Sequence, residues 1–261
     1  MTKKDKLVSV IDYGVASITV PGQTISGDLF IVKESENKLL IGVVDGLGHG
    51  SEAANAAKKA VAVLNDYFED SIINMVKLCH ESLKHSRGAV MALVSLNFHD
   101  ETITWLSIGN VEGMLLKANP ETSPLYENII MRSGVVGYRL PPLYASVIPI
   151  SKNDILILST DGISDDYVPR IVADIRFAHE QMNQSDSKNK SEVPIEIVCH
   201  AKESEYTEIL LQASEPTIFR SDSGNLSPQE LADYINRRFA KGNDDALVLV
   251  AKYLGKKTPE T

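Results

Sequence analysis

Apolar residues occur along this chain in short branched blocks, and several of those blocks begin or end on an aspartate. Lys38 to Val44 is an almost unbroken apolar run that stops at Asp45, and Ile155 to Ser159 is another that stops, past Thr160, at Asp161. Leu29 to Val32 starts directly after Asp28, and Ala246 to Tyr253 starts directly after Asn243-Asp244-Asp245. Blocks this short and rich in β-branched residues read as buried strands. Val8 to Val20 has the alternation of a strand pair, with Asp12-Tyr13-Gly14 as its turn. Ala89 to Asn97, Ile103 to Ile108 and Val111 to Lys117 read as a run of antiparallel strands, the last two joined by Gly109-Asn110, with Phe98 and Trp105 packed between layers.

Helical periodicity appears in three places. Glu52 to Asp66 is alanine-rich and polar on one side, and Ser71 to Lys84 carries Ile72, Val76, Cys79 and Leu83 on one face. That spacing assigns Cys79 to the core and leaves His80 and His85 solvated. Ser227-Pro228-Gln229-Glu230 is a capping box with proline at the first helical position, so a third helix is expected from Pro228 to about Ala240, ended by Gly242. Between about 165 and 225 the pattern breaks. Ile171 to Met182 reads as helical, Asn183 to Val193 is polar, and Ile195 to Cys199 and Ile209 to Leu211 read as short elements. The expected organisation is one domain over residues 1–255 with a variable insertion at 165–225 and a flexible tail at 256–261.

Charge narrows the choice of partner. A formal net charge of -9 argues against a nucleic-acid surface or an anionic membrane. No window is long and apolar enough to span a bilayer, and two distant cysteines form no disulfide framework, so a cytoplasmic location is expected. His200 beside Cys199 lacks further ligands at metal spacing.

The acids at the strand ends carry the chemistry. If Leu29 to Val32 and Lys38 to Val44 form a hairpin through Glu34 to Asn37, Asp28 and Asp45 share one sheet edge. In an antiparallel sheet the start of one strand abuts the finish of the next, so Asp161 and Asp244 can converge there too. Carboxylates about 5 Å apart repel by roughly 3 kcal/mol per pair at an effective dielectric near 20, so cations must offset the cluster. Oxygen donors without histidine or cysteine suit Mg²⁺ or Mn²⁺. Taken alone, Val43 to Gly50 (VVDGLGHG) leaves two readings open, a metal loop or a strand-to-helix turn. Its glycines miss the G-x-G-x-x-G spacing, and Asp45 would repel a pyrophosphate.

Taken together, Ser26-Gly27-Asp28, Asp45-Gly46-Leu47-Gly48-His49-Gly50, Ser159-Thr160-Asp161-Gly162 and Asn243-Asp244-Asp245 resemble the successive metal motifs of the PPM family, the metal-dependent serine/threonine protein phosphatases. Arg87-Gly88-Ala89-Val90 and Ile108-Gly109-Asn110-Val111 are similar to the bacterial branch that acts on regulators of stress and sporulation sigma factors, and most like its stressosome feedback phosphatases. The resemblance implies an α+β fold, a β-sandwich of two antiparallel sheets flanked by helices. It implies two Mn²⁺ or Mg²⁺ ions, with Asp45 bridging both, the Gly46 carbonyl on one, and Asp161 and Asp244 on the other. Asp28 would be catalytic by orienting the attacking water, and Asp245 could stand in for Asp244. The implied substrates are phosphorylated STAS-domain stressosome proteins, met by a monomer in the cytoplasm. A phosphatase of a free STAS anti-anti-sigma factor and a non-catalytic binding module that keeps the fold are the alternatives.

Overall fold

The structure is a computed structural model that describes residues 9–119, 121–173, 219–220, 224–225 and 227–256. It divides into two compact units, Met1–Tyr167 with Ser227–Thr261, and Val168–Leu226. The second unit spans nearly the residues of the expected insertion. Its described part holds two short strands, Phe219–Arg220 (β11) and Gly224–Asn225 (β12), paired antiparallel. The polar stretch Asn183 to Val193 and the elements expected at Ile195 to Cys199 and Ile209 to Leu211, together with His200 and most of Ile171 to Met182, lie outside the described residues.

The first unit holds the remaining strands in two sheets. In one, strands β2 (Asp28–Glu34), β3 (Lys38–Gly46), β4 (Ala89–Asn97) and β5 (Thr102–Ile108) follow in order, with β8 (Met131–Arg132) and β9 (Ser146–Pro149) both on the outer side of β5. In the other, the order is β1 (Ile11–Ile18), β13 (Ala246–Tyr253), β10 (Ile155–Ser159), β6 (Glu112–Leu116) and β7 (Tyr126–Asn128). All pairings except β5 with β8 are antiparallel. The mixed α+β fold with two sheets is therefore as expected.

Alternation along the strands explains why two layers form. On β4, Val90, Ala92, Val94 and Leu96 point toward the other sheet, where they meet Leu156, Leu158, Leu247 and Leu249 in one apolar cluster. Met91 and Leu93 point the opposite way, into a second cluster with helices α1 (Ser51–Asp66) and α2 (Ile72–Leu83). Trp105 is buried in the first cluster with Phe98 packed against it, as expected for residues between layers. Ile72, Val76, Cys79 and Leu83 are all buried in the second. Burial pushes the Cys79 thiol up to about 12, which suits an unreactive core residue. Helix α3 (Pro228–Phe239) opens with the expected capping box: the Ser227 side chain accepts from the Glu230 N–H, and the Glu230 carboxylate accepts from the Ser227 N–H at 2.8 Å. Among the described residues no helix is long and apolar enough to cross a membrane.

Three expectations need correction. Val8 to Val20 is not a strand pair, because β1 pairs with β13 without a break from Ile11↔Tyr253 to Ile18↔Ala246. Gly14 serves close packing there instead of a turn. A Cβ at that position would lie 2.2 Å from the Gln229 Cα of α3, and the Gln229 amide brackets β1 by accepting from the Val15 N–H and donating to the Val15 carbonyl. Gly14→Ala is accordingly expected to cost about 1–3 kcal/mol, the usual penalty of overpacking, measurable by denaturant unfolding. Second, β5 and β6 are not neighbours, since the Gly109-Asn110 connection carries the chain from one sheet to the other. Third, His80 is half-buried, and its Nδ1 accepts from the Gly137 N–H at 3.0 Å.

Candidate metal centre

The hairpin of β2 and β3 pairs Asp28 directly with Asp45, and the register continues without slip to Glu34↔Leu39. A turn of three residues leaves no freedom for another pairing that keeps Leu39, Ile41 and Val43 in the core. Two local contacts shape the end of the hairpin. The Ser26 hydroxyl accepts from the Asp28 N–H at 3.0 Å, and the Gly27 carbonyl accepts from the Gly46 N–H at 3.1 Å. Gly46 lies flush against α1, where a Cβ would come within 2.0 Å of the Ala53 carbonyl oxygen. Any larger residue would push the helix from the strand end.

Past Gly46 the loop turns through Gly48 and Gly50, both at positive φ (86° and 77°). Its Leu47 N–H donates to the Gly88 carbonyl at 3.1 Å. Arg87 extends beside Gly48 and pairs with Glu52 in the first turn of α1 at 2.5 Å. His49 is exposed.

From the other sheet, β10 runs into Thr160-Asp161-Gly162. Thr160 is fully buried, donates its hydroxyl to Asp28 Oδ2 at 2.8 Å and accepts from the Leu247 N–H at 2.9 Å. One hydroxyl thus joins β2 of one sheet to β13 of the other. Gly162 packs against the chain entering β13, with a Cβ position 1.9 Å from the Asp245 carbonyl oxygen. The same device that seats Gly46 on α1 here draws Asp161 toward Asp244.

Asp244 and Asp245 separate cleanly by environment. Asp245 is buried, and its two carboxylate oxygens accept from the Val20 N–H at 2.7 Å and the Gly27 N–H at 2.6 Å. Those bonds tie the end of the preceding loop to β13 and use both oxygens. Asp244 is exposed, and its Oδ1 accepts only from the adjacent Asp245 N–H among the hydrogen bonds of its side chain. Asp161 accepts at Oδ2 from the Asn110 amide at 2.5 Å, and its carbonyl accepts from Lys241 Nζ at 2.7 Å.

The acids act on one another. Burial pushes Asp45 up to about 8, and Asp28, Asp161, Asp244 and Asp245 all push in the same direction. Burial likewise raises Asp28 to about 7, against the Thr160 hydrogen bond and with the help of Asp245, Asp161 and Asp244. Asp161 is raised by burial and then by Asp244, with Lys241 and Asn110 opposing. Among the described residues no three histidine, cysteine or acidic side chains close on a common point at metal-holding distance. The donor set nevertheless suits hard divalent cations: it is all oxygen, it is short of positive charge, and a main-chain carbonyl is available at Gly46.

A pH dependence follows. A carboxyl group whose folded pKa lies above its unfolded value binds more protons when folded, so stability falls as pH rises between the two values. For Asp28 and Asp45 that window runs from the ordinary value of 3.8 to about 7 and about 8. The melting temperature of the metal-free protein is expected to fall across it, and the increment given by added Mn²⁺ to grow. Differential scanning calorimetry of the chelated and loaded protein checks both trends.

Two sheets that meet at one acid-lined edge define a PPM-type phosphatase domain, and the chain belongs to the SpoIIE family: the family model for Stage II sporulation protein E matches residues 35–205. A curated relative, phosphoserine phosphatase RsbX of Bacillus subtilis (strain 168), is 28% identical over 171 residues, 66% of this chain and 80% of that protein. Among solved structures, RsbX in complex with magnesium superposes with a TM-score of 0.65 at 19% identity, covering 93% of this chain and 94% of that one. A chain from work on the bacterial stressosome as a modular system adapted to control secondary messenger signalling reaches 0.66 at 24% identity, over 92% and 98%. The PPM Ser-Thr phosphatase MsPP of Mycobacterium smegmatis, with cacodylate, reaches 0.56 at 14% identity, over 95% and 100%. At these identities the structures speak for the fold.

Thr160 and Asn110 were not singled out by chemistry in the sequence. Both lie within motifs quoted above, but their partners are distant in the chain, 132 residues away for Thr160 and 51 for Asn110.

Proposed function

We propose that this chain is a metal-dependent phosphoserine/phosphothreonine protein phosphatase that resets stress signalling by dephosphorylating STAS-domain stressosome proteins in the cytoplasm, acting as a monomer with two Mn²⁺ or Mg²⁺ ions. The observation that carries the reading is the pairing of Asp28 with Asp45 on one sheet, bridged through Thr160 to the loop of Asp161 on the other. The RsbX relative supports the substrate class.

Asp45, the Gly46 carbonyl, Asp161 and Asp244 would hold the cations, which when bound supply Lewis acidity toward water and the phosphoryl oxygens. Asp244 is preferred over Asp245, whose oxygens are both engaged by backbone N–H groups. Thr160 holds Asp28 Oδ2, and Asp28 would orient the water that attacks phosphorus. The new P–O bond forms to the water oxygen as the bond to the serine or threonine oxygen breaks, the attacking water gives up a proton and the leaving oxygen takes one from solvent, giving inorganic phosphate and the free hydroxyl.

Residues 1–255 are read as a single phosphatase domain with an insertion at 165–225. Deleting Asn183 to Val193 should leave phosphate release from a small phosphorylated substrate within a few-fold; its abolition would count against that division.

The direct test presents a panel of phosphorylated STAS proteins with Mn²⁺, Mg²⁺ or chelator and measures phosphate release. Release from scaffold STAS proteins only with metal is the expected result. Faster release from a free anti-anti-sigma factor would redirect the substrate assignment, and no release from any phosphoprotein would leave a binding module.

A further inference from the structure

We propose that Asn110 is a positioning residue for Asp161, an inference that rests on the metal-centre reading above. Its amide nitrogen donates to Asp161 Oδ2 at 2.5 Å, a short bond to a charged acceptor. Exposed side chains do not normally hold such contacts, because rotamer freedom competes with them. Here the backbone carrying Asn110 is fixed on both sides.

Gly109 donates its N–H to the Arg132 carbonyl at 2.8 Å and adopts φ 91°, with Val90 Cγ1 only 2.1 Å from where a Cβ would stand. On the other side, the buried Ser107 hydroxyl donates to the Val111 carbonyl at 2.7 Å, across the connection. The connection from one sheet to the other is thereby set in a single shape, and Asn110 is presented to the Asp161 loop.

The amide does two things there. It occupies one oxygen of Asp161, so Oδ1 remains for a cation. It also supplies a donor without adding charge to an edge that already holds Asp28, Asp45, Asp161 and Asp244. An aspartate at 110 would do neither. Groups that hold a metal ligand in place through its second atom commonly govern affinity by about 10- to 100-fold.

The test uses the full chain and isothermal titration with Mn²⁺, beside the melting temperature of the metal-free protein. Asn110→Ala is expected to weaken Mn²⁺ binding by about 10- to 100-fold with the metal-free melting temperature unchanged. Asn110→Gln, which keeps the amide on a longer stem at an exposed site, is expected to recover most of the loss. Wild-type affinity in Asn110→Ala would overturn the inference, as would an affinity loss matched by a fall in metal-free stability, or a glutamine variant no better than alanine. If the wild-type chain itself binds no divalent cation, the metal-centre reading fails and this inference fails with it, a result separate from intact wild-type binding that Asn110→Ala leaves unmoved.

Discussion

Asp45→Asn is expected to lower phosphate release by about 100- to 1,000-fold, the scale on which one electrostatic transition-state contact is lost. In the same variant the metal-free protein is expected to melt at a higher temperature than wild type at pH near 8. The two effects have one origin. Asp45 is mostly buried beside Asp28, Asp161, Asp244 and Asp245, and its carboxyl is pushed up to about 8. Ionising it without a cation works against the fold, so the neutral amide relieves repulsion that the carboxylate maintains for function. Phosphate release with Mn²⁺ and a calorimetric scan with chelator measure the two sides. A variant equally active, or one less stable than wild type without metal, would show that Asp45 is not the acid on which the cluster turns.

Gly162→Val is expected to remove metal-dependent activity and to cost more than about 3 kcal/mol of stability, beyond the ordinary range of overpacking. A Cβ at 162 would sit 1.9 Å from the Asp245 carbonyl oxygen and 2.8 Å from its carbonyl carbon, with Ala246 Cα next. Those are backbone atoms at the start of β13, which cannot rotate aside as a side chain could. Relief requires the Asp161 loop and the Asp244-Asp245 segment to separate. Separation also strains the bonds from Val20 and Gly27 to Asp245. Denaturant unfolding gives the stability, and a soluble but inactive variant with weakened Mn²⁺ binding is the milder form of the same result. Full activity would mean that Asp161 and Asp244 need not approach each other.

Parts of this site could be read before any coordinates. Asp28 and Asp45 could be paired because a hairpin with a short turn has little choice of register, and because the burial of Leu39, Ile41 and Val43 excludes a slip. The capping box at Ser227 is local and was equally legible. What escaped depends on contacts between elements far apart in sequence. Gly14 looks like a turn residue until α3 is packed on it. Gly109-Asn110 looks like a hairpin until β5 and β6 are found in different sheets. Thr160 is one hydroxyl among many until its partner, Asp28, is known. Asp244 and Asp245 likewise differ only in burial and hydrogen bonding, which identical residue types standing side by side do not reveal.

The position of β13 has a consequence for biosynthesis. It is made after every other strand of both sheets, yet it lies between β1 and β10. Until it leaves the ribosome, β1 lacks its partner strand among the described residues, and Thr160 lacks the Leu247 backbone. A chain stalled or cut before Ala246 keeps the Asp28–Asp45 hairpin but lacks the strand that joins β1 to β10. The sheet that carries Asp161 can therefore close only when this last of the described strands inserts between two strands made long before it.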